Sequence, residues 1–395
     1  MKKIILSFAL LAIVLLFQQC TKNDTEAIIS NEVDAVTAKF GGRIDLNNLA
    51  NYQNQPRPVY INKDNARGVV VSDAKATLGR VLFYDKQLSF DNSTSCGSCH
   101  VQKFAFGDTA IASRGVAGGL TGRHSMRLVN ARFANEAKFF WNERANTLEA
   151  QTTQPIKDHA EMGFSGQAGR PSITDLIAKL QAVDYYQELF QKAYGNTNVT
   201  EAKMQECLAQ FIRSIQSFDS KYDAGRAQVG NDNANFPNFT AQENAGKNLW
   251  LTAPNFNAAG VRVGGGLGCN RCHNAPEFDI DPNTRNNGVI GVLSGAGIDV
   301  GNTRAPSLRD LTGPNGEPNT PMMHTAKFAT LQQMIGHYGS ITVAPGNNQI
   351  DPRLRPNGVG QQLNLTAAEV NATIAFIKTL SGTNVYSDAK WSNPF

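Results

Sequence analysis

Apolar positions recur at helical spacing in several stretches of the chain, and few runs alternate at period two. Met204, Cys207, Leu208, Phe211, Ile212 and Ile215 form one such stripe, which predicts a buried helix face with Cys207 as a small core residue. Two further stretches share Gly-x-x-Leu-aromatic on the same period, Leu78-Gly79-Arg80-Val81-Leu82-Phe83 and Ala245-Gly246-Lys247-Asn248-Leu249-Trp250, so the chain carries an internal repeat. Thr240 to Glu243 and Thr366 to Glu369 have the spacing of capping boxes; from the second a helix is expected through Val370, Ile374 and Ile377, stopping at Gly382. The pattern predicts a mainly α protein with long ordered loops.

The extreme N-terminus reads differently. Lys2 and Lys3 precede an apolar run from Ile4 to Phe17, too short for a comfortable membrane span and suited to a secretory signal. Cys20 follows, then polar residues, the arrangement of a bacterial lipoprotein signal over 1–20 with Cys20 as the lipid anchor. The expected location is therefore the periplasm, with membrane contact only through that anchor. Residues 21–70, polar and without periodicity, read as a tether followed by an arm on the surface.

The 395 residues, 41% hydrophobic and 18% charged, suffice for two domains with real cores. Basic and acidic residues nearly balance, 37 against 33, which argues against a nucleic-acid partner. The six cysteines and six histidines change the picture most. Cys96-Gly97-Ser98-Cys99-His100 and Cys269-Asn270-Arg271-Cys272-His273 are two copies of the c-type haem attachment signature. Two thiols so spaced add to the vinyl groups on one porphyrin edge, and the adjacent histidine becomes the proximal iron ligand. A disulfide, a zinc site or a thioredoxin-type motif would use the same cysteines, but none of them needs the histidine. Each repeat thus leads into its own haem motif. Two c-type cytochrome-like domains with one covalent haem each are expected, over 71–225 and 235–385, joined near 222–238 where Gly, Asn and Asp signal a linker.

Around these motifs the chain resembles the bacterial dihaem cytochrome c peroxidases and the related MauG enzymes, from about Leu78 to about Gly382. The resemblance rests on Leu82-Phe83-Tyr84-Asp85 leading through Leu88-Ser89 to the first haem motif, and on Phe140-Trp141-Asn142-Glu143-Arg144-Ala145 followed by Leu148, Gln151, Pro155 and Glu161-Met162. It continues in Arg304-Ala305-Pro306-Ser307-Leu308-Arg309, Met323-His324 and Phe328-Ala329-Thr330-Leu331. It implies that His100 is the proximal ligand of a peroxidatic haem and His273 that of an electron-transfer haem. Glu161 would be the distal acid and base, moving a proton on and off the peroxide oxygens. Gln151 would line that pocket, and Trp141 would relay electrons between the haems.

Two positions depart from the peroxidase branch of that family. The residue seven before Arg123, where that branch has a closing histidine, is Val116; the resting distal site is then expected to be open and to need no prior reduction. His124 is the nearby substitute as a ligand, and it stands where the family places an asparagine that helps bind calcium; Asn319 and Pro321 hold the matching positions for such an ion. Seven residues after Leu331, where the peroxidases have a methionine, stands Tyr338, as in MauG, with Met334 and His337 as alternative ligands of the second iron. Thioether would raise the potential of that haem, whereas tyrosinate or a second imidazole would lower it. The expected function is a dihaem peroxidase that reduces hydrogen peroxide to water with electrons from a small redox protein, a cytochrome c or cupredoxin. A MauG-like oxidase acting on a partner protein and a plain dihaem electron-transfer cytochrome are the alternatives, and a homodimer is compatible with all three.

Overall fold

Gly79 explains much of the architecture. In a computed structural model that describes residues 33–280, 282–304 and 306–395, the helix Asp73–Tyr84 crosses the helix Glu201–Ser214 at this glycine. A Cβ there would lie 1.9 Å from the carbonyl oxygen of Cys207. The second copy of the repeat does the same: Gly246, in the helix Ala241–Leu251, abuts the helix Ala367–Lys378, and its Cβ would lie 1.9 Å from the Ala372 carbonyl. Each repeat therefore builds one close-packed helix pair.

The helices of the second pair start where the sequence places them. Ser72 and Thr200 cap the first pair, and reciprocal boxes open the second, Thr240 with Glu243 and Thr366 with Glu369. The last of these helices ends at Lys378 rather than near Gly382, because Gly382 packs against the Asp219 carboxylate and donates its N–H to Asp310.

Residues Asp34–Phe395 form one compact unit. It contains two main hydrophobic cores. The first gathers Leu78, Leu82, Phe83, Cys207, Leu208 and Phe211; the second gathers Tyr222, Phe236, Trp250, Phe278, Phe376 and Ile377. The Gly- and Asn-rich stretch 222–238 supplies Tyr222 and Phe236 to the second core, both fully buried. The signal segment and anchor Cys20 lie outside the described residues. The described part of the arm is built into the first core: Val36, Phe40 and Tyr52 are buried, and Glu188 caps the helix Ala35–Phe40 by accepting from the N–H groups of Ala35 and Val36. The C-terminal residues return to the same core, where Trp391 is buried beneath Tyr84 and donates to Ser214.

Between the helices run long ordered loops with two short antiparallel ribbons, Pro254–Phe256 with Arg262–Gly265 and His273–Asn274 with Asp279–Ile280. The fold is mainly helical, as the periodicity predicts. Among the described residues no helix is long and apolar enough to cross a membrane.

Candidate functional site

The first Cys-x-x-Cys-His motif is a single helical turn, Cys96–Cys99, closed by a box between Ser95 and Ser98. Gly97 is required there, since its Cβ would lie 2.4 Å from the Tyr84 ring. Burial pushes the Cys96 thiol up to about 12 and the Cys99 thiol to about 11. His100 Nδ1 donates to the carbonyl of Phe106 at 3.1 Å, which fixes the tautomer and leaves the Nε2 lone pair for a metal. Ala105 and Phe106 both take left-handed conformations to turn that carbonyl inward. Burial lowers the His100 pKa, which keeps the ring neutral.

The second motif repeats the design with different parts. Gly268, at φ 68, opens the turn Cys269–Arg271, and His273 is held by Trp250, whose indole donates to the His273 carbonyl at 3.3 Å with the rings 6.1 Å apart. Phe83, the equivalent residue of the first repeat, lies 6.4 Å from the His100 ring. Each repeat's aromatic residue thus braces its own motif's histidine. Burial pushes His273 down to about 4, and its Nδ1 is buried without a partner. Cys269, Cys272, His273, Trp250, Leu267 and Tyr338 line one apolar-walled cavity. Among the described residues no three His, Cys, Asp or Glu side chains converge on a bare metal ion. Two thiols and a neutral imidazole beside an apolar cavity fit covalent haem.

Glu161 lies on a segment tied to the approach to the first motif, where Phe90 donates its N–H to the Met162 carbonyl at 3.0 Å. Burial, reinforced by the neighbouring charge of Asp158 and opposed by Arg144, pushes its carboxyl up to about 7. Its backbone is clasped by the loop around buried Val116: Val116 donates to the Glu161 carbonyl at 3.0 Å, and Gly115 and Gly119 press on Ala160, where Cβ atoms would lie 1.9 and 2.3 Å from its oxygen. Gln151 is half-buried on the short helix Leu148–Thr152, which Thr147 caps.

Trp141 reaches from the first half of the chain into the second. Phe140, at φ 71, sets the turn; the indole donates to the His124 carbonyl at 2.7 Å, and the Trp141 carbonyl accepts from Thr303 and Arg304. Its ring lies 6.2 Å from His324 and lines the cavity that holds His273. His124 lines the same cavity; its Nδ1 donates to Ala110, and its Nε2 is buried without a partner. The side chain of Asn319 is engaged with the Asp310 carbonyl and the Tyr386 hydroxyl.

A family model described as di-haem cytochrome c peroxidase matches residues 73–231. The chain is 26% identical over 316 residues to the methylamine utilization protein MauG of Methylophilus methylotrophus, covering 78% of this chain and 82% of that one. It is equally 26% identical over 318 residues to the cytochrome c551 peroxidase of Nitrosomonas europaea, covering 78% and 80%. The solved structure of a MauG-like protein associated with microbial copper homeostasis is 26% identical and matches with a TM-score of 0.65 over 86% of this chain and 99% of that one. Residues 73–231 belong to the di-haem cytochrome c peroxidase family, and the likeness to peroxidases and MauG proteins extends over most of the chain. Membership implies two c-type haems. The fold alone is shared with the diheme peroxidase BthA from Burkholderia thailandensis, at 19% identity and a TM-score of 0.55.

The three ligand alternatives named from the sequence stand differently around the second cavity. Tyr338 and Met334 line it. His337 turns its Nε2 to the Asn287 carbonyl at 2.9 Å. Sequence reasoning gives no ligand-site role to two of the cavity residues. Asn287 donates to the Tyr338 hydroxyl, and Met323 lies beside it; Met323 stands in a family motif, but nothing in its spacing marks it as a metal donor. Arg127 and Arg304 also line the cavity, both buried and each with an unpartnered Nε.

Proposed function

We propose that this protein is a peroxidase that reduces hydrogen peroxide to water, with electrons from a small redox protein entering at the His273 site and passing to the His100 site. The observation that carries the reading is Glu161, a carboxyl poised near neutrality and held by backbone clasps beside the first haem motif. Cys96, Cys99 and His100 would hold one haem, Cys269, Cys272 and His273 the other, and Arg127 and Arg304 would take carboxylates of the second. The bound haems supply the redox chemistry, two electrons per peroxide across two irons.

The chain's own residues handle protons and access. Glu161 as carboxylate takes the proton that peroxide loses on binding and returns it to the departing oxygen, a role suited to a group that titrates near 7. Gln151 orients peroxide or water from the adjoining helix. The 115–119 loop offers buried Val116 where the peroxidase branch has a closing histidine, so the site stands open without prior reduction. Trp141 bridges the two sites through its contacts with His124, Thr303 and Arg304.

A second reading, oxidation of a partner protein in the manner of MauG, draws support from Tyr338 in the second cavity. The N-terminal sequence supports export and lipid anchoring, and a periplasmic donor follows from that.

Electron paramagnetic resonance of the fully oxidised holoprotein, with peroxide turnover, tests the proposal. One high-spin and one low-spin ferric signal, with turnover that collapses in Glu161→Gln, is expected. Two low-spin signals and no peroxide reaction at any redox poise would leave only an electron carrier. Stopped-flow mixing of the all-ferric protein with peroxide should give an immediate spectral change; no change would show that reduction must come first.

A further inference from the structure

In the second cavity one amide, that of Asn287, holds two potential iron ligands. The Asn287 amide nitrogen lies 3.1 Å from the Tyr338 hydroxyl oxygen and 3.1 Å from the Met323 sulfur. One amide NH2 therefore serves both, and the oxygen and the sulfur lie within two hydrogen-bond lengths of each other. Asn287 is itself fixed: its side-chain oxygen accepts from the Val289 N–H at 3.1 Å and its backbone carbonyl accepts from His337. Met323 and Tyr338 both line the cavity that holds Cys269, Cys272 and His273.

Met323 is also held in an unusual way. Its φ is 73, a left-handed conformation that side chains rarely take, and it opens a tight turn in which Ala326, at φ 52, donates back to the Met323 carbonyl. Strain of this kind persists only where the surroundings impose it, and it gathers at functional sites. Of the other methionines that line the cavity, Met126, Met322 and Met334, none takes such a conformation, and Met334 sits on the regular helix Leu331–Gly339.

The geometry points to a ligand exchange at the haem that His273 would hold: Tyr338 oxygen on ferric iron and Met323 sulfur on ferrous iron, with Asn287 receiving whichever donor is released. This rests on the dihaem reading and on Tyr338 as the ferric ligand. The chemistry favours it because an anionic phenolate oxygen matches ferric iron, whereas a neutral, soft thioether matches ferrous iron. In the reductive direction one electron arrives from the redox-protein donor, the iron–oxygen bond breaks and the iron–sulfur bond forms. The released phenolate takes one proton from water and keeps its hydrogen bond from Asn287. Oxidation reverses each step and returns the electron to the first site. The exchange stabilises both oxidation states of the second haem in turn, so that an electron is stored firmly once it has arrived.

The test uses the full-length holoprotein. Ferric wild-type protein should show a tyrosinate-to-iron charge-transfer band and tyrosinate modes in resonance Raman, both lost in Tyr338→Phe. Ferrous wild-type protein should lose those features and show instead, by proton NMR, a methionine methyl resonance moved far upfield by the haem ring current. That resonance should vanish in Met323→Leu, with a high-spin ferrous haem in its place, and persist in Met334→Leu. The wild-type spectra need no variant, so misfolding of Met323→Leu leaves the test intact. Tyrosinate features that persist on reduction overturn the exchange, as does a methionine signal that survives Met323→Leu or is lost in Met334→Leu. Absence of the tyrosinate signature in the ferric protein overturns the ligand assignment beneath the proposal. Peroxide turnover, measured separately, reports on the dihaem peroxidase reading alone.

Discussion

At the scale of single residues, Glu161 carries the sharpest consequence of burial. A carboxyl displaced from 4.5 to about 7 by desolvation and the Asp158 charge is a base only above that value. The peroxide rate constant kcat/KM should therefore rise as pH climbs through about 7 and level off above it, and Glu161→Gln should lose both the limb and at least about a hundredfold of the rate. A profile that keeps its limb in the variant would move the acid–base role elsewhere. The same displacement links to stability with a definite sign. The folded protein holds this proton more tightly than the unfolded chain, so the stability Glu161 contributes is complete below pH 4.5 and is lost as pH rises through about 7. Thermal melting of wild type and Glu161→Gln should give similar midpoints at pH 5 and a higher midpoint for the variant at pH 8.

At the scale of elements, the two repeat glycines make a prediction that separates crowding from helix propensity. Alanine at Gly79 or Gly246 would drive a methyl into a backbone carbonyl of the facing helix, which cannot step aside as a flexible side chain could. Each substitution should cost about 1–3 kcal/mol or more in chemical denaturation. Gly336, inside the helix Leu331–Gly339, has nothing within 4 Å of its Cβ position, so Gly336→Ala should stabilise by about 0.5–1 kcal/mol. These elements also show what was legible in the sequence. The helix starts at Thr240 and Thr366, the repeat and both haem motifs could be read because capping, periodicity and thiol spacing are local. The atoms Gly79 and Gly246 meet, Cys207 and Ala372, could not, since the crossing is a tertiary fact. The arm through Val36, Phe40 and Tyr52 looked like a surface strap, because scattered apolar residues in a polar segment leave no period while each still finds a hole in the core. Trp391 escaped the same way. Asn287 and Met323 were invisible for another reason: what singles them out is a shared contact with Tyr338, and only their position around the cavity reveals it.

At the scale of the whole molecule, the proposed reaction requires charge to move between the two motifs, and Trp141 is the residue proposed to carry it. It comes from the loop that follows the first motif, yet its carbonyl accepts from Thr303 and Arg304, and its ring faces His324 across 6.2 Å in the cavity of the second. Arg123 and Asp299 brace the same junction with a two-point ion pair at 2.6 and 3.1 Å. Because these backbone bonds and this ion pair do not depend on the indole, Trp141→Phe should keep both haems attached and lose little more than the hydrogen bond to the His124 carbonyl, about 1 kcal/mol of stability. Its effect should fall on transfer between the sites. When the fully reduced holoprotein is mixed with peroxide in a stopped-flow spectrometer, the phase assigned to the first haem should keep its rate. Oxidation of the second should slow by about tenfold or more, the equivalent of ~1.4 kcal/mol in barrier. If both phases kept wild-type rates, electrons would have to cross by another route, and His124, whose bare Nε2 shares the cavity with Trp141, would be the next position to substitute.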